Sequence, residues 1–171
     1  YTLVTGVQTC ALPILAGGSY QWTRDQLAPL ECEAADALGL SAYELMNLNA
    51  QKSAPGANGL IFLPYLLGER SPRWNPRARG AFIGLTVRHT RGDMVRAVLE
   101  GAAYGLRHNV ETAAAAGFAA GILSSVGGGA RSPSGTRSRP TCCSAPSACR
   151  IRPSARPWAT PSSQPPARGS I

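Results

Sequence analysis

The chain has 171 residues and a formal net charge of +8, from 17 Lys and Arg against nine Asp and Glu. That length leaves room for one ordinary domain and its core and excludes a two-domain enzyme. Residues 1–130 are nearly balanced, with ten basic against nine acidic residues, and the other seven positive charges are arginines from Arg131 onward.

A nucleic-acid groove needs its positive charge on a folded face interleaved with aromatic residues, so no nucleic-acid partner is expected. A basic tail that binds nucleic acid is the weaker alternative. No apolar run is long enough to span a bilayer, and no convincing signal peptide is present, so no membrane partner is expected. Four of the five cysteines, Cys10, Cys142, Cys143 and Cys149, lie towards the two ends. No C-x-x-C pair has a matching second pair or histidines, so no metal site is expected. Cys32 reads as a small hydrophobe in a cytoplasmic protein rather than a nucleophile.

In chain order, Val4 to Ile14 (VTGVQTCALPI) resembles a translated sequencing-adapter oligonucleotide, so residues 1–14 are set apart as an artefact. The alternative is a native strand from Tyr1 to Val7. Gly17-Gly18-Ser19-Tyr20-Gln21-Trp22 then precedes a helix predicted over Thr23 to Leu30. A glycine pair before a helix start lets backbone approach a ligand and offers free amides to an anion. A plain helix start is the alternative. Leu30 to Ala50 predicts a helix pair, with Ala34, Ala35 and Leu38 as one apolar face. Gly39 ends the first helix, and Ser41 with Glu44 opens the second in capping-box spacing. Tyr43, Leu45, Met46 and Leu48 read mostly as core.

Leu60-Ile61-Phe62-Leu63, halted by Pro64, predicts one buried strand. Ser71-Pro72 and Asn75-Pro76 predict turns, because a residue before proline is pushed out of the helical region. Arg70, Arg73, Arg77 and Arg79 crowd this region. They could grip phosphates, but such loop charges are usually solvated or paired locally, and Glu69 could pair with Arg70. Ala81 to Leu85 predicts a second strand, with Gly80 and Gly84 where side chains would obstruct backbone approach. Thr90 and Asp93 predict the capped start of a long helix. Val95, Val98, Leu99, Ala102, Leu106 and Val110 form its apolar stripe, and it ends near Ala116 before Gly117. His89 reads as a loop residue and His108 as an exposed helix residue.

Gly121 to Val126 predicts a parallel strand, and Gly127-Gly128-Gly129-Ala130 the turn after it. A strand followed by three glycines is where a nucleotide can lie against bare backbone. Residues 133–171 hold eight prolines, eight serines and six arginines without periodicity. Composition alone calls that a disordered tail. Shifting the reading frame explains more. Pro133-Ser134-Gly135 can then encode Leu-Trp, and Pro157-Trp158-Ala159 an aliphatic residue followed necessarily by Gly. Residues 133–171 are therefore read as a frame-shifted, disordered tail.

From Gly59 to Glu100 the chain resembles the C-terminal half of the FGGY family of carbohydrate kinases. Gly80-Ala81-Phe82-Ile83-Gly84-Leu85, His89 and Arg96-Ala97-Val98-Leu99-Glu100-Gly101 resemble the family's second signature. Phe62 to Tyr65 with Gly68-Glu69-Arg70 and Pro72 is most similar to its xylulokinase branch, and somewhat less to gluconokinases. The resemblance implies an α/β fold, a fragment of the C-terminal actin-like ATPase (ribonuclease H-like) domain over residues 15–132, with irregular ends. It places Gly17 and Gln21 near ATP, with Trp22 as packing, and makes Gly127, Gly128, Gly129 and Ala130 the adenosine turn.

The intact enzyme that the resemblance implies moves the γ-phosphoryl of MgATP to a sugar hydroxyl, with an aspartate taking the hydroxyl proton. The same resemblance allows a homodimer. That aspartate and the sugar contacts would lie upstream. Asp25, Asp36 and Asp93 are helix residues in the wrong contexts, so no catalytic residue is named and the fragment alone is expected to be inactive. A non-catalytic nucleotide-binding or interaction module is the alternative from another class.

Overall fold

A computed structural model describes residues 12–118, 122–125 and 150–153. Helix α1 (Leu12–Leu27) leads into α2 (Pro29–Leu38) and α3 (Ala42–Lys52). A 3₁₀ turn at Ala57–Gly59 feeds strand β1 (Ile61–Leu63), and β2 (Ala81–Ile83) returns beside it. The long helix α4 (Arg91–Ala115) follows, then β3 (Ile122–Ser125) and β4 (Arg150–Pro153).

The helix expected from Thr23 starts at Leu12 and runs through Gly17 and Gly18, straddling the boundary expected at Leu15. A glycine pair weakens a helix by only about 1 kcal/mol per residue, a cost that tertiary packing overrides. The real break falls at Ala28, because Pro29 follows it and occupies the start of α2. Gly39 stops α2 in the left-handed region, at φ 64° and ψ 28°. Capping boxes open α3 at Ser41 and Glu44, and α4 at Thr90 and Asp93, as their spacing predicts.

β1 and β2 pair antiparallel, with Ile61 opposite Ile83, Phe62 opposite Phe82 and Leu63 opposite Ala81. The rings of Phe62 and Phe82 lie 4.8 Å apart. Phe62 is buried against α4, and an added Cβ at Gly101 would strike the Phe62 carbonyl oxygen. Of the strand expected to be wholly buried, Ile61 stands half exposed, since alternate side chains leave opposite faces of a strand. β3 is parallel, as expected, and its partner is β4, a short strand inside the tail read as aperiodic.

The core has two clusters. Ala57, Leu60, Phe62, Ala97 and Val98 form one; Ala28, Met46, Ala50 and Val95 form the other. Tyr20 packs against both. Val95 and Val98 of the predicted α4 stripe are fully buried. The α2 face differs from expectation: Leu38 is exposed, while Ala35 and the carboxylate-bearing Glu31 are buried. Leu48 is also exposed rather than core.

Two buried carboxylates tie separate segments of the fold together. Glu100 accepts the Gly56 backbone N–H on both oxygens at 3.1 Å and the Arg96 guanidinium at 2.7 Å. Glu31 accepts Asn49 at 2.9 Å and Arg91 at 3.0 Å, joining α2 to α3 and to the start of α4. Each buried charge is therefore paired, as burial requires.

Candidate functional site

The sequence-predicted nucleotide residues fall in two places. Gly127, Gly128, Gly129 and Ala130 lie outside the described residues. Gly17 and Gln21 lie on α1, one helical turn apart and both exposed.

The packing of α1 explains their orientation. Ser19 and Thr23 are fully buried, and the Thr23 hydroxyl donates to the Ser19 carbonyl at 2.8 Å. Their small side chains let α1 lie close on α4, its main neighbour together with α2. Tyr20 donates its phenol proton to Asn47 at 2.8 Å and stacks on Tyr43 at 5.4 Å. Burial, with the neighbouring Tyr43, pushes the Tyr20 phenol well above its ordinary range. With Ser19, Tyr20 and Thr23 turned inward, the opposite strip of α1 carries Gly17, Gly18, Gln21 and Trp22. Nothing stands within 4 Å of where a Cβ would sit on either glycine.

This arrangement corrects the chemistry expected at Gly17. Its amide lies inside a helix, where amides bond to carbonyls four residues back, so it offers no free helix terminus to an anion. What remains is bare backbone surface beside an exposed amide side chain.

The aspartates are placed as their contexts suggest. Asp25 pairs with Arg24 at 2.6 Å on the surface of α1, and Asp36 is exposed on α2. Asp93 is 2% exposed and accepts from Ser53 at 2.5 Å, Asn58 at 2.8 Å, and the amide and hydroxyl of Thr90 at 2.7 Å each. Burial alone would raise its pKa, but these hydrogen bonds outweigh it and hold the carboxyl at about 2. A carboxylate so occupied cannot take a proton from a substrate at neutral pH.

Arg70, Arg73 and Arg77 are exposed, and Arg79 donates to the carbonyls of Pro76 and Ala78 at 3.0 and 2.8 Å. The Glu69–Arg70 pair expected from their adjacency is absent among the described residues. Glu69 stands beside Tyr65, whose pKa rises through burial, then through the charge and hydrogen bond of Glu69. The backbone of Glu69 exchanges two 2.8 Å bonds with Asn75.

His89, read as a plain loop residue, braces the loop it stands in. Its Nδ1 accepts from the Thr86 amide at 2.9 Å, and Nε2 lies 3.3 Å from the Asn58 carbonyl. An accepting Nδ1 implies that Nε2 carries the proton. The partners are backbone groups, which sequence spacing does not reveal.

Among the described residues, no group of three or more His, Cys, Asp or Glu is gathered for a metal ion. No helix among them is long and apolar enough to cross a membrane.

The profile described as the FGGY family of carbohydrate kinases, C-terminal domain, matches residues 11–146. The chain is 47% identical over 95 residues to a gluconokinase of Bacillus subtilis (strain 168), covering 55% of this chain and 18% of that protein. It is 40% identical over 119 residues to a xylulose kinase of Staphylococcus epidermidis, covering 70% of this chain and 22% of that protein. Among solved structures, xylulose kinase from Rhodospirillum rubrum is similar with a TM-score of 0.60 and 36% identity, over 72% of this chain and 23% of that one. Plasmodium falciparum glycerol kinase with ADP is similar with a TM-score of 0.58 and 25% identity, over 73% of this chain and 23% of that one. The chain thus spans about a fifth of the length of the curated relatives it matches. Its mixed helix and strand architecture is part of the actin-like ATPase fold of the sugar kinases. The chain belongs to the FGGY family of carbohydrate kinases, as part of that family's C-terminal domain.

Proposed function

We propose that this chain is a piece of an ATP-dependent sugar kinase and carries one wall of its adenosine site. The observation that carries the reading is the outward strip of α1, where Gly17 and Gly18 leave open space beside the exposed Gln21. Gln21 would bind the nucleoside by its amide, and Gly17 would admit it to backbone contact. Gly127, Gly128, Gly129 and Ala130 would form the opposite wall. The similar Plasmodium falciparum glycerol kinase, solved with ADP, supports a nucleotide as the ligand.

MgATP, when bound in the intact kinase, supplies the phosphoryl group. This chain contributes binding and orientation only, because its buried Asp93 is fully engaged and Asp25 and Asp36 are surface helix residues. The chain alone is therefore inactive in this reading, and the intact cytoplasmic enzyme phosphorylates D-xylulose. Gluconate is the second reading, favoured by the 47% identity to a gluconokinase. Residues 1–14 as adapter sequence and residues 133–171 as a shifted frame belong to the same proposal.

The test is an ATP titration of the full chain followed residue by residue by NMR. Shifts at Gly17 and Gln21 are expected at millimolar ATP. Shifts confined to Arg70–Arg79, or turnover of xylulose or gluconate by the chain alone, would overturn the reading. Resequencing the DNA around the codon for Pro133 tests the frame, and the repaired enzyme, assayed on both sugars, decides between them.

A further inference from the structure

The β1–β2 ribbon has one satisfied face and one bare one. Phe62 and Phe82 pack together, and Phe62 is buried against α4. Strand alternation turns the paired Ile61 and Ile83 to the opposite side, where each is 50% exposed. Past the end of β2 the same stretch adds Leu85 at 56% exposure and Val87, which is fully exposed. Scattered single apolar residues are normal on a surface, but four aliphatic side chains on one short ribbon and its continuation mark a contact face. A two-stranded ribbon is also marginal by itself and needs further packing for stability.

The segment is held in shape. The His89 ring ties the Thr86 amide to the Asn58 carbonyl, so Leu85 and Val87 project from a braced loop. A preformed apolar face suits a fixed internal partner. The available partner is large, since this chain spans 23% of the solved xylulose kinase it resembles.

We propose that Ile61, Ile83, Leu85 and Val87 form the seam against the remainder of an FGGY kinase, and that the chain binds this remainder without a covalent link. The inference rests on the chain being a piece of such a kinase, yet it is read by capture rather than by nucleotide shifts or turnover. Failure of capture and failure of the nucleotide reading are therefore separate outcomes.

The experiment co-expresses the full tagged chain with Bacillus subtilis gluconokinase from which the 95-residue matching stretch has been deleted. One-to-one co-purification is expected, with mass measured by light scattering. Ile83→Asp combined with Val87→Asp should lower capture at least about tenfold, because each charge would have to be desolvated at the seam. The thermal melt of the free chain should fall only slightly with that pair, since Val87 is fully exposed and Ile83 half exposed. Leu38→Asp, on α2 rather than on the sheet, should leave capture intact. Absence of capture by the unmodified chain overturns the proposal. So does equal capture by the double variant, equal loss in Leu38→Asp, or a homodimer that the double variant dissolves while the remainder stays unbound.

Discussion

The Ser53 hydroxyl donates to the buried Asp93 carboxylate at 2.5 Å, across 40 residues of sequence. The same carboxylate caps α4 through Thr90 and holds Asn58, so one side chain fastens both ends of the loop after α3 to the long helix. Its carboxyl is held at about 2, below its ordinary 3.8. A depressed folded pKa gives stability that is present above the unfolded value and lost as pH falls through the folded one. The chain should lose on the order of 2 kcal/mol from this group between about pH 4 and pH 2. Asp93→Asn should remove most of that acid sensitivity and cost about 1–3 kcal/mol at pH 7. Urea melts of both forms across this range check it, and parallel pH profiles would refute it.

Glycine to alanine should have opposite signs at two helical positions. At Gly101 the new Cβ meets the Phe62 carbonyl, so α4 and β1 must part at about 1–3 kcal/mol. At Gly17 the space is open, and better helix propensity should stabilise the chain by about 0.5–1 kcal/mol. Thermal melts of the two variants decide the matter, and a destabilising Gly17→Ala would show that α1 is broken there.

Ion pairs should count by burial. Glu31 has a side chain only 9% exposed and serves Arg91 and Asn49, so Glu31→Gln should cost about 1–3 kcal/mol. Glu111 pairs with Arg107 four residues earlier at 2.6 Å with a side chain 49% exposed, and Glu111→Gln should cost under about 0.5 kcal/mol. Denaturant midpoints for the two variants that coincide would contradict this ranking.

Local punctuation made most elements readable. Gly39, the Ser41–Glu44 and Thr90–Asp93 boxes and Pro64 each act through neighbours three or four residues away, so sequence spacing carries their meaning. The course of α1 was not readable. Gly17-Gly18 signals a break locally, and only the burial of Ser19, Tyr20 and Thr23 against distant helices overrides it. The roles of Glu31 and Glu100 were hidden for the same reason, because their partners lie 60 and 44 residues away. Leu38 reads as part of an apolar face and Leu48 as core, yet both are exposed, because the buried faces of their helices carry Glu31 and Ala35, and Met46, Asn47 and Ala50. In the candidate site, the amides at Gly17 and Gly18 expected to face an anion are internally bonded, because the helix begins at Leu12.

Nucleotide affinity should be weak and should depend on Gln21. The described wall offers open backbone at Gly17 and one amide side chain, and Arg24, one turn further along α1, is engaged by Asp25. In the proposed frame-shift, the helix that should support the Gly127–Gly129 turn from behind is lost, preorganisation falls with it, and only the surplus over ordering costs appears as affinity. ATP should therefore bind the chain at about millimolar or weaker, equivalent to roughly −4 kcal/mol at that limit. Gln21→Ala should weaken binding several-fold while leaving the melt unchanged, because Gln21 is exposed and its removal leaves no buried group unpaired. Adenosine should compete nearly as well as ATP, since the proposed contacts of Gly17 and Gln21 are to the nucleoside rather than to phosphate. Restoring the reading frame after Ser132 should tighten binding, and Gly129→Val in the repaired protein should remove that gain by blocking backbone approach. Calorimetry that finds micromolar ATP affinity in the chain as it stands, or a Gln21→Ala variant binding as well as the original, would show that the nucleotide lies elsewhere.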